Sequence, residues 1–471
     1  RLVRIQVALG EAMQAQGDRF GAALYHSEAL RLAAEANRGG PDDSGDQQIH
    51  RLRIAASLQQ SPRLVQCWWF PTAVTKVIVR PGTDQILTAH REGSARLLDL
   101  ESGRILQTFA HAGPVRDAAF LDGGQQLITV GDDRLIRWWS SDTGKPLREV
   151  ILDEPVQKVA ISPDGRWLAA VSRVRDRPAV HLMRADSEAQ RGPALEHPGD
   201  IFDLGFSPDS TELATACEDG QVRRWTLGAE PRPMAALRHL GGDDNSVVGV
   251  EYSPDGTHLL TASHDGSAGL WDRASGRREG YFWHDTWLTG AKFSRDGARI
   301  LTTSFDAAAR VWSPVPSVAT MTSVAPHSRS DAGFLLRLRH DHAVLDGAFS
   351  ADQRRIATAC FDRGAWLWNA DTGDLIAQLK HGGFVASVLF HPDGRRVLSA
   401  ASDGSLKLWD LAGMAAEQSI PAVAAIHAPE TSVMRTPDGA QFLAAPAEGK
   451  VQLWHTDRWN PAGPAWLEPG G

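Results

Sequence analysis

The sequence predicts a mainly β protein, built from repeated four-stranded antiparallel units with a small α-helical segment ahead of them. Three observations carry this. A Trp, or a residue in its place, ends an alternating apolar strand at Leu98, Trp139, Met183, Trp225, Trp271, Trp312, Trp368, Trp409 and Trp454, at gaps of 41, 44, 42, 46, 41, 56, 41 and 45 residues. A tight turn built on Pro-Asp-Gly recurs within the same period. The first 60 residues instead place apolar side chains at helical spacing. A period of about 40–45 residues is that of propeller blades. There are 16 Trp against 3 Tyr, so the repeat demands an indole specifically.

Leu2, Ile5, Val7, Ala8, Leu9 and Met13 predict a first helix over residues 2–15. Gly17 and Asp18 punctuate, and Phe20, Ala23, Leu24, Ala29, Leu30 and Leu32 mark a second. Residues 17–32, GDRFGAALYHSEALRL, resemble the second half of a tetratricopeptide repeat, with small Ala22 and Ala29 where two antiparallel helices approach closely. Residues 38–46 form a Gly/Pro/Asp linker with nothing to bury, and residues 47–60 read as a third helix. The expected division is a helical, tetratricopeptide-like segment over 1–61 and a repeat array over 62–471.

Within each repeat a tight turn comes first: Ser162-Pro163-Asp164-Gly165, Ser207-Pro208-Asp209-Ser210, Ser253-Pro254-Asp255-Gly256, Ser294-Arg295-Asp296-Gly297, His391-Pro392-Asp393-Gly394 and Thr436-Pro437-Asp438-Gly439. Pro presets φ and Gly accepts the positive φ of such a turn. An apolar strand follows (259–263, 356–360, 397–401), then a second turn carrying Asp, then the strand ending in Trp. These residues resemble the WD-repeat (WD40) family over about 85% of the chain. The resemblance implies a hydrogen-bond relay of His, Ser or Thr, Asp and Trp in each blade. Six sets match: His111/Thr129/Asp133/Trp139, His197/Thr215/Asp219/Trp225, His239/Thr261/Asp265/Trp271, His284/Thr302/Asp306/Trp312, His340/Thr358/Asp362/Trp368 and His381/Ser399/Asp403/Trp409.

Three of the nine units depart. The first has Glu92 and Leu98 for Asp and Trp, with Pro71 near the His position. The third has Met183 and a charged run, RVRDR at 173–177, which reads as a solvated turn before it reads as a phosphate or acidic-partner contact. The ninth keeps Trp454 but has Glu448 and lacks the His. The longest gap holds a Pro/Ser insertion at 313–333. Residues 62–70 align with an outer strand, which in the family often completes the last blade and locks the ring. Two closures stay open: one ring of eight or nine blades, or seven blades with two units of a second ring cut off after the outer-strand-like PAGPAWLEPGG.

A net charge of −8 argues against a dedicated nucleic-acid binder. No apolar run reaches the roughly 18–20 residues that span a bilayer. Cys67, Cys217 and Cys360 are far apart, without metal-ligand spacing, and fit buried thiols of a reducing, cytoplasmic compartment. Phosphate-binding, dinucleotide, zinc-protease, nucleophile-elbow and kinase motifs are missing from the sequence, so no cofactor or metal is expected. The HDH pair His340/His342 is a weak metal signal. The 17 His invite a hydrolase-like site at the channel mouth as the rival to binding, but the relay claims six of them and six Asp.

Binding is the leading expectation. The loops before the first strand and between the second and third share one face, and the residue before each turn Asp should point there: Asp132, Glu218, His264, Phe305, Phe361 and Ser402. Arg116 and Phe202 lie near the starts of first strands. These eight are the candidate partner-binding residues, for a protein or peptide. The order of parts resembles the C-terminal halves of planctomycete-type bacterial WD-repeat proteins, many with a serine/threonine kinase domain upstream. That implies a non-catalytic protein-interaction scaffold, the regulatory or substrate-docking region of a larger bacterial signalling protein with a kinase domain in cis; a stand-alone structural scaffold is the further alternative.

Overall fold

The computed structural model describes residues 2–15, 19–36, 50–51, 53–54, 62–174, 177–185, 191–228, 230–239, 244–314, 333–412, 432–435, 441–445, 450–455 and 466–467. Two compact units emerge, one of residues 64–409 and one of residues 1–63 with 410–471. In the second, α1 (Leu2–Ala15) and α2 (Arg19–Ala36) pack together. Gly10 of α1 sits so close to α2 that a Cβ there would meet His26 Nε2 at 2.5 Å, while Ala22 and Ala29 are fully buried. A two-helix hairpin is common to many folds, so the tetratricopeptide likeness rests on the sequence alone. The linker 38–46 and most of the third helix expected over 47–60 lie outside the described residues, although His50, Arg51, Arg53 and Ile54 are helical.

Unit 64–409 is a closed ring of eight four-stranded blades. They span residues 74–110, 115–151, 158–196, 201–238, 247–283, 288–339 and 344–380, and the eighth combines 385–410 with strand β1 (Arg63–Trp69). In the fourth blade the outer strand is broken into Arg232–Pro233 and Leu237–Arg238, both paired with Gln221–Thr226. The Pro/Ser insertion falls between the third and fourth strands of blade 6, at residues largely outside those described.

Neither a nine-bladed ring nor a ring of seven with two units left over is formed. The ninth unit makes a separate sheet of Ser432–Arg435, Gln441–Ala445, Lys450–His455 and Trp466–Leu467, in the unit with the helices. The reason is that β1 takes the outer position beside Ser405–Asp410, so the chain after Asp410 has no place in blade 8. Trp68 and Phe70 then pack with Leu398 and Leu408 of blade 8 and Ile86 and Leu98 of blade 1. The ninth unit's Glu448, its Thr436–Gly439 turn and most of the final outer strand lie outside the described residues.

Hydrophobic clusters fill the spaces between neighbouring sheets, each joining the face of one blade to the next. The innermost strands add charges around the channel, where a carboxylate takes a lysine from the blade before and a backbone N–H from the blade after. Asp117 meets Lys76 at 3.3 Å and accepts from Val159 N at 3.1 Å. Asp203 meets Lys158 at 2.6 Å and accepts from Val250 N at 3.1 Å, and Asp346 meets Lys292 at 2.7 Å and accepts from Val388 N at 3.2 Å. Glu251 accepts from Phe293 N at 3.1 Å across the seam between blades 5 and 6. These links run through every seam from blade 1 to blade 8. The seam between blade 8 and blade 1 is joined instead by β1 and by Arg396 of blade 8, whose guanidinium reaches Asp84 of blade 1.

Candidate functional site: the loop face of the ring

Each blade first has to hold its loops in place. In blades 2, 5 and 6 the relay is complete. His111 joins Asp133 at 3.0 Å and Thr129 at 2.7 Å, and Thr129 accepts from the Trp139 indole at 2.8 Å. His239 joins Asp265 at 3.2 Å and Thr261 at 2.7 Å, with Trp271 on Thr261 at 2.9 Å. His284 joins Asp306 at 2.9 Å and Thr302 at 2.7 Å, with Trp312 on Thr302 at 2.8 Å. The threonine hydroxyl satisfies two buried nitrogens at once.

The other three expected sets are partial. His197 reaches Thr215 at 2.8 Å but turns Nδ1 to Leu195 O at 2.9 Å. Asp219 pairs with Arg223 at 2.6 Å, and the Trp225 ring packs on His197 at 5.3 Å rather than bonding to Thr215. His340 keeps Thr358 at 2.7 Å and Trp368 keeps Thr358 at 2.9 Å, yet Asp362 accepts from the Trp366 indole at 2.9 Å. His381 and Trp409 share Ser399 at 2.7 and 2.9 Å, but Nδ1 bonds Ser405 at 2.8 Å while Asp403 accepts from Gly382 N at 3.0 Å. In each the Asp takes another donor, the Arg223 guanidinium, the Trp366 indole or the Gly382 N–H, and the histidine Nδ1 bonds elsewhere in blades 4, 7 and 8. All six hydroxyls are fully buried, so these His–hydroxyl pairs point no nucleophile at solvent.

Blades 1 and 3 solve the problem differently. Phe70, not Pro71, takes the His place of blade 1: its N–H bonds Gly404 O at 2.9 Å, as His381 N bonds Arg363 O at 2.8 Å. Thr88 bonds His90 of its own strand instead, at 2.9 Å, with the Phe70 ring 4.2 Å from that imidazole. Blade 3 replaces donor and acceptors together, by Leu152, Ala170 and Met183, all buried in one cluster. Exchanging both partners for apolar groups costs little, whereas losing one strands the other. The charged run of this blade extends its hairpin, with Val174 opposite Arg177, and Arg173 and Arg177 reach Asp200 at 2.5 Å and Glu196 at 3.6 Å. Residues 175–176 lie outside those described.

Burial holds four of these histidines neutral: His90, His197, His340 and His381 are lowered to about 4. Between their ordinary value near 6.5 and about 4, only the unfolded chain takes up their protons. Each therefore contributes stability that is complete above pH 6.5 and is lost as pH falls, by up to about 1.4 kcal/mol per pH unit. Glu251 acts oppositely, pushed up to about 7 chiefly by burial and next by Asp203, against the Phe293 N–H and Lys292. Four groups outweigh one. The midpoint of thermal unfolding is expected to fall steadily from pH 6.5 to 4.5, as calorimetry would show.

On this scaffold the candidate residues occupy equivalent places. The N–H groups of Asp132, Glu218, His264, Phe305, Phe361 and Ser402 bond the carbonyls of Pro114, Asp200, Ser246, Trp287, Ala343 and Phe384, at 2.8–3.0 Å. Each carbonyl belongs to the residue just before an innermost strand, so both loop sets share one face. Over blades 2–4 that face is charged. Arg116 grips Asp132 through two bonds at 2.7 and 2.6 Å, and Glu218 accepts from Asp200 N at 3.0 Å. Phe202 is 38% exposed among them.

Over blades 5–8 the face is aromatic. His264 stacks on Trp287 at 4.8 Å, Trp287 meets Phe305 edge-on at 6.3 Å, and Phe361 stacks on Phe384 at 4.6 Å. Ser402 follows in blade 8, its N–H on Phe384 O. His264–Trp287 and Phe361–Phe384 pack across blade seams and Trp287–Phe305 within blade 6, and Trp287, Phe305 and Phe361 remain 48%, 49% and 50% exposed. Trp287 and Phe384 were not among the expected residues. Their signal is positional: each stands three residues after a relay histidine, His284 or His381. His342, of the HDH pair, offers its carbonyl to Cys360, and His340 is committed to the relay. Among the described residues, no three His, Cys, Asp or Glu converge as a metal cluster.

The model of the family described as "WD domain, G-beta repeat" matches residues 103–140, 194–226, 235–272, 279–313 and 373–410. The chain is similar to human echinoderm microtubule-associated protein-like 2, 27% identical over 32% of this chain and 23% of that protein. It is similar to eukaryotic translation initiation factor 3 subunit I of Culex quinquefasciatus, 25% identical over 32% of this chain and 50% of the relative. A third relative is target of rapamycin complex subunit LST8-1 of Arabidopsis thaliana, 30% identical over 22% of this chain and 33% of the relative. The chain thus spans half or less of the length of these relatives, which are eukaryotic. The crystal structure of the computationally designed Ika8 protein superposes with a TM-score of 0.59 over 74% of this chain and all of that one, at 18% identity, a likeness of fold. The chain carries WD40 repeats, and the structure they build is an eight-bladed β-propeller.

Proposed function

We propose that this chain is a non-catalytic scaffold that docks a protein or peptide on the loop face of the ring. The observation that carries this is the aromatic arc of blades 5–8, held half-exposed by loops that the relay fixes. Fixed aromatic side chains give large contact area at low ordering cost and are enriched at interfaces. Two relatives bear the names of subunits of larger assemblies, which supports the same reading. The Cys67, Cys217 and Cys360 thiols are free and fit a cytoplasmic, reducing setting.

Replacing Phe305 and Phe361 together by Ala is expected to abolish capture of partners by the immobilised chain while its thermal midpoint stays within a few degrees. Unchanged capture by a folded double variant would refute the proposal. The narrower reading is that the propeller is the regulatory or substrate-docking region of a bacterial signalling protein with a serine/threonine kinase in cis. It rests on the order of helical segment and WD units, and the reading frame upstream of the Arg1 codon tests it.

A further inference from the structure

Two seams of the loop face carry the same pair of rings. Between blades 5 and 6 His264 lies on Trp287 at 4.8 Å and 13°, and between blades 7 and 8 Phe361 lies on Phe384 at 4.6 Å and 7°. The first ring of each pair stands just before a turn Asp, the second three residues after the relay histidine of the next blade. The seam of blades 6 and 7, which lies between them, repeats this frame with one ring instead of two. Phe305 stands just before Asp306, but the residue three after His340 is Ala343. The carbonyls of Trp287, Ala343 and Phe384 accept from the N–H groups of Phe305, Phe361 and Ser402 at 3.0, 2.9 and 2.9 Å, so the three occupy equivalent places. Side chains join the two blades beside this spot. The Thr289 hydroxyl lies 2.7 Å from both the Thr303 hydroxyl, two residues before Phe305, and the carbonyl of Val344, next to Ala343. Thr303 faces blade 7, where a Cβ on Gly347 would meet its methyl at 3.2 Å.

Among the described residues Phe305 meets one ring, that of Trp287 at 84°, and none lies parallel to it. The blade spacing that holds ring on ring in the flanking seams is set by the same strands here, while Ala343 fills its share of the seam with a single methyl group. Offset, parallel rings gain beyond the area they bury. An aromatic side chain also has few bonds to fix, whereas a long aliphatic or basic one loses more rotamer freedom in the same slot. We infer that the Phe305–Ala343 seam is a subsite for one aromatic side chain of the docked protein, which stacks on Phe305 over Ala343 and completes the series of ring pairs from blade 5 to blade 8. The inference rests on the partner-binding reading of this face and gives that partner its chemistry: an aromatic anchor.

The peptide Gly-Gly-Trp-Gly-Gly is the probe, with Leu or Arg in place of its Trp as controls. The Ala343 methyl signal is followed by NMR in the full chain, labelled at alanine methyls, and is assigned by its loss in Ala343→Ser. An aromatic ring over that methyl displaces its signal through the ring current, which Leu and Arg side chains lack. The Trp peptide should give a saturating displacement, and the Leu and Arg peptides none at equal concentration. Phe305→Leu, which keeps apolar area but no ring, should weaken binding of the Trp peptide about fivefold.

An Ala343 methyl that does not move, saturation by the Leu or Arg peptide at the same concentration, or equal binding by Phe305→Leu overturns the inference. Partner capture separates the two proposals. Ala343→Phe fills the seam with a ring of the chain's own and should lose the partner, while Ala343→Ser keeps it. If Ala343→Phe retains the partner and the Phe305/Phe361 variant loses it, the aromatic subsite fails and the docking face stands. If neither loses it, both fail. Melting curves of Ala343→Phe guard against misfolding as the cause, and if that variant does not fold, the peptide titration of Phe305→Leu decides.

Discussion

Glu212→Ala is expected to destabilise the propeller by about 3–5 kcal/mol, because it leaves a buried guanidinium without its counter-ion. Glu212 opens the second strand of blade 4 and binds three groups. Arg224 donates to it at 2.8 Å, Arg273 of blade 5 at 3.0 Å and the Tyr252 hydroxyl at 3.3 Å. The Arg224 side chain is only 2% exposed, so water cannot replace the carboxylate. Arg273 loses less, since it also holds Asp209 at 3.0 Å and is cushioned by the Tyr252 ring. Glu212→Gln keeps an acceptor and should cost less than half as much. The double change Glu212→Leu with Arg224→Met removes both charges and should recover most of the loss. Urea unfolding of the four proteins decides it, and equal stability of Glu212→Ala and the parent would contradict the argument.

Trp68→Ala should cost a similar amount, about 3–5 kcal/mol, and its damage should be local. Trp68 lies on β1, the strand that closes the ring. Its indole donates to Gly103 O of blade 1 at 2.8 Å, and its ring packs into the cluster that joins blade 8 to blade 1. Among the described residues, this seam lacks the inner-strand carboxylate links, to a lysine at three seams and to a backbone N–H at four, that join the other seven. Amide exchange should therefore accelerate in blades 8 and 1 and hardly change in blades 4 and 5, since propeller stability is largely a sum of neighbour contacts. Trp68→Phe, which keeps most of the apolar area, should show the same pattern more weakly. Uniform acceleration around the ring would mean that the seam is no weaker than the rest.

Much of this was legible in the chain because the repeat chemistry is local. Thr302 and Trp312 are ten residues apart across one hairpin, and a hairpin register converts that spacing into a hydrogen bond without help from the rest of the molecule. The same locality located the loop-face positions, since the residue before each turn Asp is set by the same register. Local spacing could not say where Asp362 or Asp403 would turn, because their preferred donors, the Trp366 indole and the Gly382 N–H, compete with the histidine only once the strands are assembled. Nor could it find Trp287 and Phe384 as one surface with Phe305 and Phe361, for each ring pairs with one whose place the assembled blades set.

By itself, then, the sequence determined the blade: four strands, a turn with its Asp, a buried Trp and a face of loops. Only the tertiary structure decided the ring. Nine similar units could have closed at several numbers, because each blade contacts only its neighbours and its own sequence carries no count. The count became eight where β1 filled the outer edge of the eighth sheet and Trp68 and Phe70 sealed it to the first, a pairing between segments more than 330 residues apart.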